Sequence, residues 1–244
     1  MEFGLTEEQV MLQESVNRFL EKQCPLDRVR ELAEGGAEHD AETWAGLAQL
    51  GVTGLLIEEE FGGLGMNLLD AALIQESLGR HVCPVAFTAT SVLGAIALSA
   101  AGSEAQKQRW LPGIADGSLQ VAVALSETTG AREGAGISAV DGKLNGHVLF
   151  ALGAPEAELL IVNGPDGSLF AIETQASGLE RTGLRSIDDT QAFAEFGFTN
   201  VEAETLSTDS ETVARLVDAG RVMLAADSLG AAQRMIEKAV EYAA

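Results

Sequence analysis

At 244 residues, with 46% hydrophobic and 21% charged side chains, the chain is long enough for one or two globular domains with a substantial core. Acidic residues number 37 against 15 basic ones, a formal net charge of −22, and no Lys/Arg cluster appears, which argues against a nucleic-acid partner. No stretch reaches the ~18 apolar residues of a membrane span, and Met1-Glu2-Phe3-Gly4-Leu5 has neither a basic nor an apolar leader region, so no membrane contact and a cytoplasmic location are expected.

Residues 1 to about 120 carry helical periodicity. Thr6 with Gln9 three positions on forms a capping box, and Leu5 and Val10 stand where a hydrophobic staple would place them. Leu12, Val16, Phe19 and Leu20 then make one buried face, which Pro25 ends. Asp40 caps a second helix bearing Trp44, Leu47 and Leu50, with Gly51 behind it. The loop Phe61-Gly62-Gly63-Leu64-Gly65 leads into a third helix from about Leu68 to Gly79. A fourth spans Ser91–Ala101, and a short one runs from Ser103 to Trp110, stopping before Pro112.

From about 120 to 205 the period falls to two. Val121, Val123 and Leu125 alternate, as do Ala194, Phe196 and Phe198. Asp141-Gly142 signals a hairpin, and a second joins Leu159–Val162 to Leu169–Ile172. From about Asp209 helical spacing returns: Val213, Leu216, Val217, Met223, Leu224, Met235, Ile236 and Val240 form a stripe with no closing Gly or Pro. Helices grouped before and after a β block imply an α+β fold.

Several landmarks, in this order, resemble the acyl-CoA dehydrogenase family of flavoproteins. They are Glu59-Glu60-Phe61-Gly62-Gly63-Leu64-Gly65, Gln75-Glu76-Ser77-Leu78-Gly79-Arg80, Gly102-Ser103-Glu104-Ala105-Gln106-Lys107 with Leu111-Pro112, and Ala124-Leu125-Ser126-Glu127. Asn145-Gly146, Asp189-Thr190, Phe198-Thr199-Asn200-Val201 and the run from Gly230 to Tyr242 continue the series. The resemblance implies a helical N-terminal domain over 1–119, a β-barrel or sandwich over 120–206, and the first helix of a C-terminal helical bundle over 207–244. It also implies FAD as cofactor, an acyl-CoA thioester as substrate, an electron-transfer flavoprotein as acceptor, and a homo- or hetero-oligomer.

The family's chemistry takes an α proton onto a Glu carboxylate while the β hydride passes to the flavin, with the thioester carbonyl polarised by hydrogen-bond donors. By resemblance, Leu125 and Ser126 line one edge of the flavin ring, and Ser126 keeps a hydroxyl for it. Phe150 and Leu152 stand where the family covers the ring with Trp and Thr: Phe150 retains an aromatic wall, whereas Leu152 has no hydroxyl. Each also has a plain structural reading, Ser126 as a strand-end serine satisfying its own turn and Phe150 as a β-domain core residue. The family's catalytic Glu is expected beyond residue 244, after an Arg-x-Gln-Phe-Gly motif that would follow Glu241-Tyr242-Ala243-Ala244, so no catalytic or substrate-binding residue is assigned here.

The stretch Thr128-Thr129-Gly130-Ala131-Arg132-Glu133-Gly134 departs from the family pattern, lacking its Pro and its Ser-Asp pair. His147 and Val148 replace a Lys, and Gln191 replaces an Arg. These departures open a second reading, a non-catalytic or flavin-poor subunit completing a heteromeric enzyme, beside a third, a stand-alone acyl-CoA- or protein-binding module. Cys24 and Cys83 have no metal or redox spacing and read as ordinary buried thiols. His39, His81 and His147 lie far apart, and no metal site is expected. The loop Gly62-Gly63-x-Gly65 reads as a tight turn in preference to a phosphate cradle.

Overall fold

The computed structural model describes residues 4–36, 39–125, 135–164, 166–207 and 210–244. Six α-helices come first: α1 (Glu7–Gln23), α2 (Leu26–Glu34), α3 (Ala41–Gln49), α4 (Leu68–His81), α5 (Ala95–Ala101) and α6 (Glu104–Ala115). A wide π-helical segment, Phe87–Gly94, feeds directly into α5. Eight strands follow: β1 (Val121–Ala124), β2 (Gly136–Val140), β3 (Lys143–Leu152), β4 (Leu159–Asn163), β5 (Leu169–Glu173), β6 (Leu179–Leu184), β7 (Phe193–Glu202) and β8 (Glu204–Ser207). The last element is α7, Ser210–Ala243.

The capping box at Thr6 forms as the sequence predicts, and two more form at Asn67 with Asp70 and at Ser103 with Gln106. Leu5 and Val10 stay about 42% and 40% exposed, so the staple buries little. Helix α2 is absent from the periodicity reading because only Val29 of its nine residues is buried. Its anchor is polar instead: Arg28 donates to both Asp40 carboxylate oxygens at 3.1 and 2.9 Å and to Glu42 at 3.0 Å. The expected stop before Pro112 is also overturned. Helix α6 runs on to Ala115, because Leu111, Ile114 and Ala115 are buried while Pro112 lies on the exposed side. There one missing backbone donor costs less than the lost apolar burial.

The strands form one eight-stranded sheet in the order β6-β7-β3-β1-β4-β5-β8, with β2 paired to β3. Asp141 and Gly142, with φ of 51° and 75°, make the two-residue turn of the β2–β3 hairpin. Antiparallel pairing of β4 with β5 confirms the second hairpin, whereas β1 and β4 pair in parallel. The central strands are buried on both faces. Val121, Val123, Leu159, Ile161, Leu169 and Ala171 point into the helical core, while Ala122, Ala124, Leu160, Val162, Phe170 and Ile172 join a second core with Phe196, Phe198 and Val201 of β7. The sheet therefore wraps its own interior and lends its other face to the helices.

Thr90 fastens the two blocks. Its hydroxyl accepts from Val121 N–H at 3.0 Å and donates to the Val121 carbonyl at 3.2 Å, tying the π-helical segment to the start of β1. At the other end of the molecule, α7 buries Val213, Leu216, Ala219 and Met223 in the helical core. Its glycine at 230 lies hard against α4: a Cβ there would sit 1.9 Å from the Glu76 carbonyl oxygen, and a Cβ at Gly79 would sit 2.2 Å from that of Asp227. The other face of α7 stays open, with Leu224, Leu229, Met235, Ile236 and Val240 all more than half exposed.

Candidate functional site

Two of the four residues singled out for a flavin, Leu125 and Phe150, lie at one end of the β1–β3 pair, and a third, Leu152, lies two residues further along β3 toward the other end. Val123 of β1 faces Leu152, the last residue of β3, in antiparallel register. Leu125 lies two residues beyond Val123 and Phe150 two before Leu152, so antiparallel direction carries Leu125 and Phe150 to the same end. Ser126 lies outside the described residues. Leu125 packs against the helical core, half-buried, and Leu152 is half-buried as well.

Phe150 differs from the core reading of the sequence. It is 60% exposed, and its φ of 55° falls in the left-handed region that bulky side chains avoid. The register between β3 and β7 slips between Val148 and Ala151, and that irregularity is what turns the ring outward. Its neighbours Val148, Leu149 and Ala151 are all buried, which holds the backbone in this conformation.

Beyond Leu152, a small half-open cavity of about 40 Å³ separates the sheet end from the helices. Its sheet wall is Leu152, Gly153, Thr190 and Gln191; its helical wall includes His39, Gln75, Cys83 and Thr88. Gly153, with φ of 75°, is required here, since a Cβ would meet that of Ala89 at 2.7 Å. A polar relay runs along the helical wall. Thr88 Oγ1 donates to Gln75 Oε1 at 2.9 Å, and Gln75 Nε2 donates to Asp227 Oδ1 of α7 at 2.8 Å. Burial pushes the Asp227 carboxyl above the usual range, against the lowering effect of the Gln75 hydrogen bond. Burial likewise lowers His39, whose ring lies edge-on to Trp44 and 3.2 Å from Gln120 Nε2. The helical wall therefore presents a neutral imidazole and an amide.

Neither His39 nor Asp227 is marked by sequence spacing. The one available signal for Asp227 is an acid set in the otherwise apolar run of α7, and for Gln75 its place in the Gln75–Arg80 landmark. The glycine loop, by contrast, is a turn and no anion cradle. The N–H groups of Gly62, Gly63, Leu64, Gly65 and Met66 all donate to carbonyls within residues 54–59. Among the described residues no group of three or more His, Cys, Asp or Glu side chains is placed to hold a metal.

Comparison with known proteins gives a consistent result. The family model for the acyl-CoA dehydrogenase N-terminal domain matches residues 6–118. The chain is 28% identical over 233 residues to acyl-CoA dehydrogenase FadE12 of Mycobacterium tuberculosis, covering 84% of this chain and 59% of that protein. Among solved structures it is similar to the steroid ACAD variant of Tcur3481-Tcur3483, at 28% identity and a TM-score of 0.86, over 97% of this chain and 66% of the other. Butyryl-CoA dehydrogenase from Megasphaera elsdenii gives 26% identity and a TM-score of 0.86, over 99% and 70% respectively. The chain thus spans 59% of the length of the first curated relatives it matches.

Proposed function

We propose that this chain, which belongs to the acyl-CoA dehydrogenase family, acts in the α,β-dehydrogenation of an acyl-CoA thioester as part of an FAD-dependent oxidoreductase. The observation that carries this reading is the exposed Phe150 ring, turned outward by the irregularity in β3 at the strand level of Leu125 and two residues from Leu152. A flat aromatic surface with an aliphatic margin fits a flavin ring, which buries a π face and is harmed by water at its reactive edge. FAD, when bound, supplies the hydride acceptor of the reaction. When FAD is bound, Phe150 would supply an aromatic wall for the ring and Leu125 and Leu152 an aliphatic margin that keeps water out, with the family resemblance assigning a hydroxyl at its edge to Ser126. The Thr88–Gln75–Asp227 relay fixes the amide that lines the small cavity behind Leu152. No described residue is given the role of proton-abstracting base.

We read the chain as a helical unit over 1–119, a β unit over 120–206 and the opening helix of a C-terminal bundle over 207–244. An electron-transfer flavoprotein takes the electrons, and the working form is an oligomer of acyl-CoA dehydrogenase-like subunits. The open apolar face of α7 supports such assembly.

One observation favours a second reading. Leu152 places an aliphatic group where the family resemblance calls for a hydroxyl, so a flavin here lacks one hydrogen bond. A flavin-poor subunit completed by a catalytic partner accounts for that. The absorption spectrum of the purified protein, alone and with any co-purifying acyl-CoA dehydrogenase-like chain, separates the two. A flavin spectrum from the protein alone supports the first reading. A spectrum that appears only with the partner supports the second. A colourless protein in both preparations overturns flavoenzyme function for this chain.

A further inference from the structure

Six residues of α7 recur at intervals of seven and share one exposed face. Val222, Leu229 and Ile236 supply its bulky positions, and Ala225, Ala232 and Ala239 lie three residues after each. All six are exposed, Leu229 and Ile236 by 58% and 60%. Apolar residues repeating with this period let one helix pack along another with a slight supercoil. The fold does not spend the pattern on itself. Val213, Leu216, Ala219 and Met223 are the α7 residues that meet the helical core, and Gly230 meets α4.

Charge and shape say what this face meets. The chain carries a net charge of −22, so two copies repel wherever their acidic surfaces come together. Yet no exposed residue from Val222 to Ile236 is charged. The two charged residues of that stretch are half-buried and engaged elsewhere: Asp227 accepts from Gln75 of α4, and Arg234 donates to Glu237. Two copies therefore meet on this strip without opposing like charges. Shape adds a direction. Laid antiparallel on a second copy of itself, about a midpoint between residues 230 and 231, the strip sets Val222 against Ala239, Ala225 against Ile236, and Leu229 against Ala232. Each pair recurs by two-fold symmetry. Every layer then holds one branched side chain and one alanine, which brings the helix axes to the close end of the usual ~8–10 Å. A parallel copy would set Leu229 on Leu229 and Ala232 on Ala232, alternating crowded layers with empty ones.

We propose that the exposed face of α7 from Val222 to Ala239 is a self-complementary interface at which two copies of this chain pair antiparallel. The inference names the partner and the contact for the oligomer stated above, and rests on that reading. The paired stretch is about 26 Å long, short for a stable dimer, so association at micromolar chain concentrations is expected.

Analytical ultracentrifugation of the purified protein over a range of micromolar concentrations tests it. The expected result is a mass that rises from one chain to two with concentration. Leu229→Glu and Ile236→Glu each place a carboxylate in the paired strip and weaken association by about tenfold or more. Both positions are exposed, so the melting temperature of the single chain stays unchanged. The direction is read from the double variant Val222→Cys, Ala239→Cys under mild oxidation. Antiparallel pairing gives a chain-to-chain disulfide between position 222 of one copy and position 239 of the other. Links only between like positions overturn the proposal, as does a single-chain mass at every concentration. So does a dimer that neither glutamate variant weakens. A protein that stays single by itself and uses this face only for a different acyl-CoA dehydrogenase-like chain overturns it too. Mass is read without flavin, so a negative result here leaves the flavin reading of the chain standing.

Discussion

The α4–α7 seam and the Leu125–Phe150 end of the β1–β3 pair are built in opposite ways. The seam is closed: Gly79 and Gly230 let two helices touch backbone to backbone, and Arg80 adds two 2.7 Å hydrogen bonds to Glu237. The strand end is open: it leaves an aromatic ring in solvent at a backbone angle that costs energy. A strained, exposed phenyl gains nothing for folding, whereas a glycine-lined helix crossing gains a great deal. The contrast indicates which region serves stability and which one awaits a ligand.

The largest expected effect comes from forcing the seam apart. Gly230→Ala places a methyl carbon on the Glu76 carbonyl, a backbone atom that yields only if the helix moves. A loss of about 3 kcal/mol, near the upper end for overpacking, is expected in urea denaturation. A loss below about 1 kcal/mol means the crossing is looser than its geometry. A smaller effect belongs to the ion pair. Arg80 and Arg234, with Gln233, hold the Glu237 carboxyl down to about 2. Because this folded-state value is depressed, the contribution is complete above the ordinary carboxylate range and is lost as pH falls toward 2. Glu237→Gln should therefore destabilise at pH 7 and match the unmutated protein near pH 2, so the acid limb of the stability profile between those limits becomes shallower.

Asp227 has the reverse sign. Its folded-state value is raised, so its ionisation works against folding as pH climbs through and beyond the usual aspartate range. Asp227→Asn keeps an oxygen for Gln75 Nε2 and removes the buried charge. A gain in melting temperature at pH 7 that vanishes at acid pH is expected, smaller than the loss at Gly230. An unchanged melting temperature at pH 7 would show that solvent already screens the carboxylate.

How much of this was legible beforehand follows from what each feature leaves in a sequence. Capping boxes, the Asp141-Gly142 turn and the alternation of Ala194, Phe196 and Phe198 are local, and the structure has them all. Helix α2 is not legible as apolar periodicity because an Arg28–Asp40 pair holds it. Pro112 misleads because a local penalty is outweighed by burial on the far side of the same helix. Leu125, Phe150 and Leu152 are proposed for the site through family resemblance alone, and the exposure of Phe150 follows from a strand irregularity that residue types do not mark. Gln75 and Asp227 are joined only by the packing of distant helices, and no spacing encodes them.

The smallest stability change carries the sharpest functional meaning. Phe150→Gly removes a bulky side chain from a left-handed angle, a relief of roughly 1–2 kcal/mol, and costs roughly 0.5–1 kcal/mol in added chain freedom. The balance is a slight gain, about 0.5–1 kcal/mol, from deleting a large aromatic residue. If the ring is there to stack on a flavin, the same substitution forfeits roughly 0.5–1.5 kcal/mol of aromatic contact, weakening retention of the cofactor by up to about tenfold. Stability rising while flavin affinity falls is the signature of a residue kept for its ligand. Flavin affinity that is unchanged in Phe150→Gly, measured by fluorescence titration, would detach the open strand end from the cofactor and leave the cavity behind Leu152 as the part of the site still to be explained.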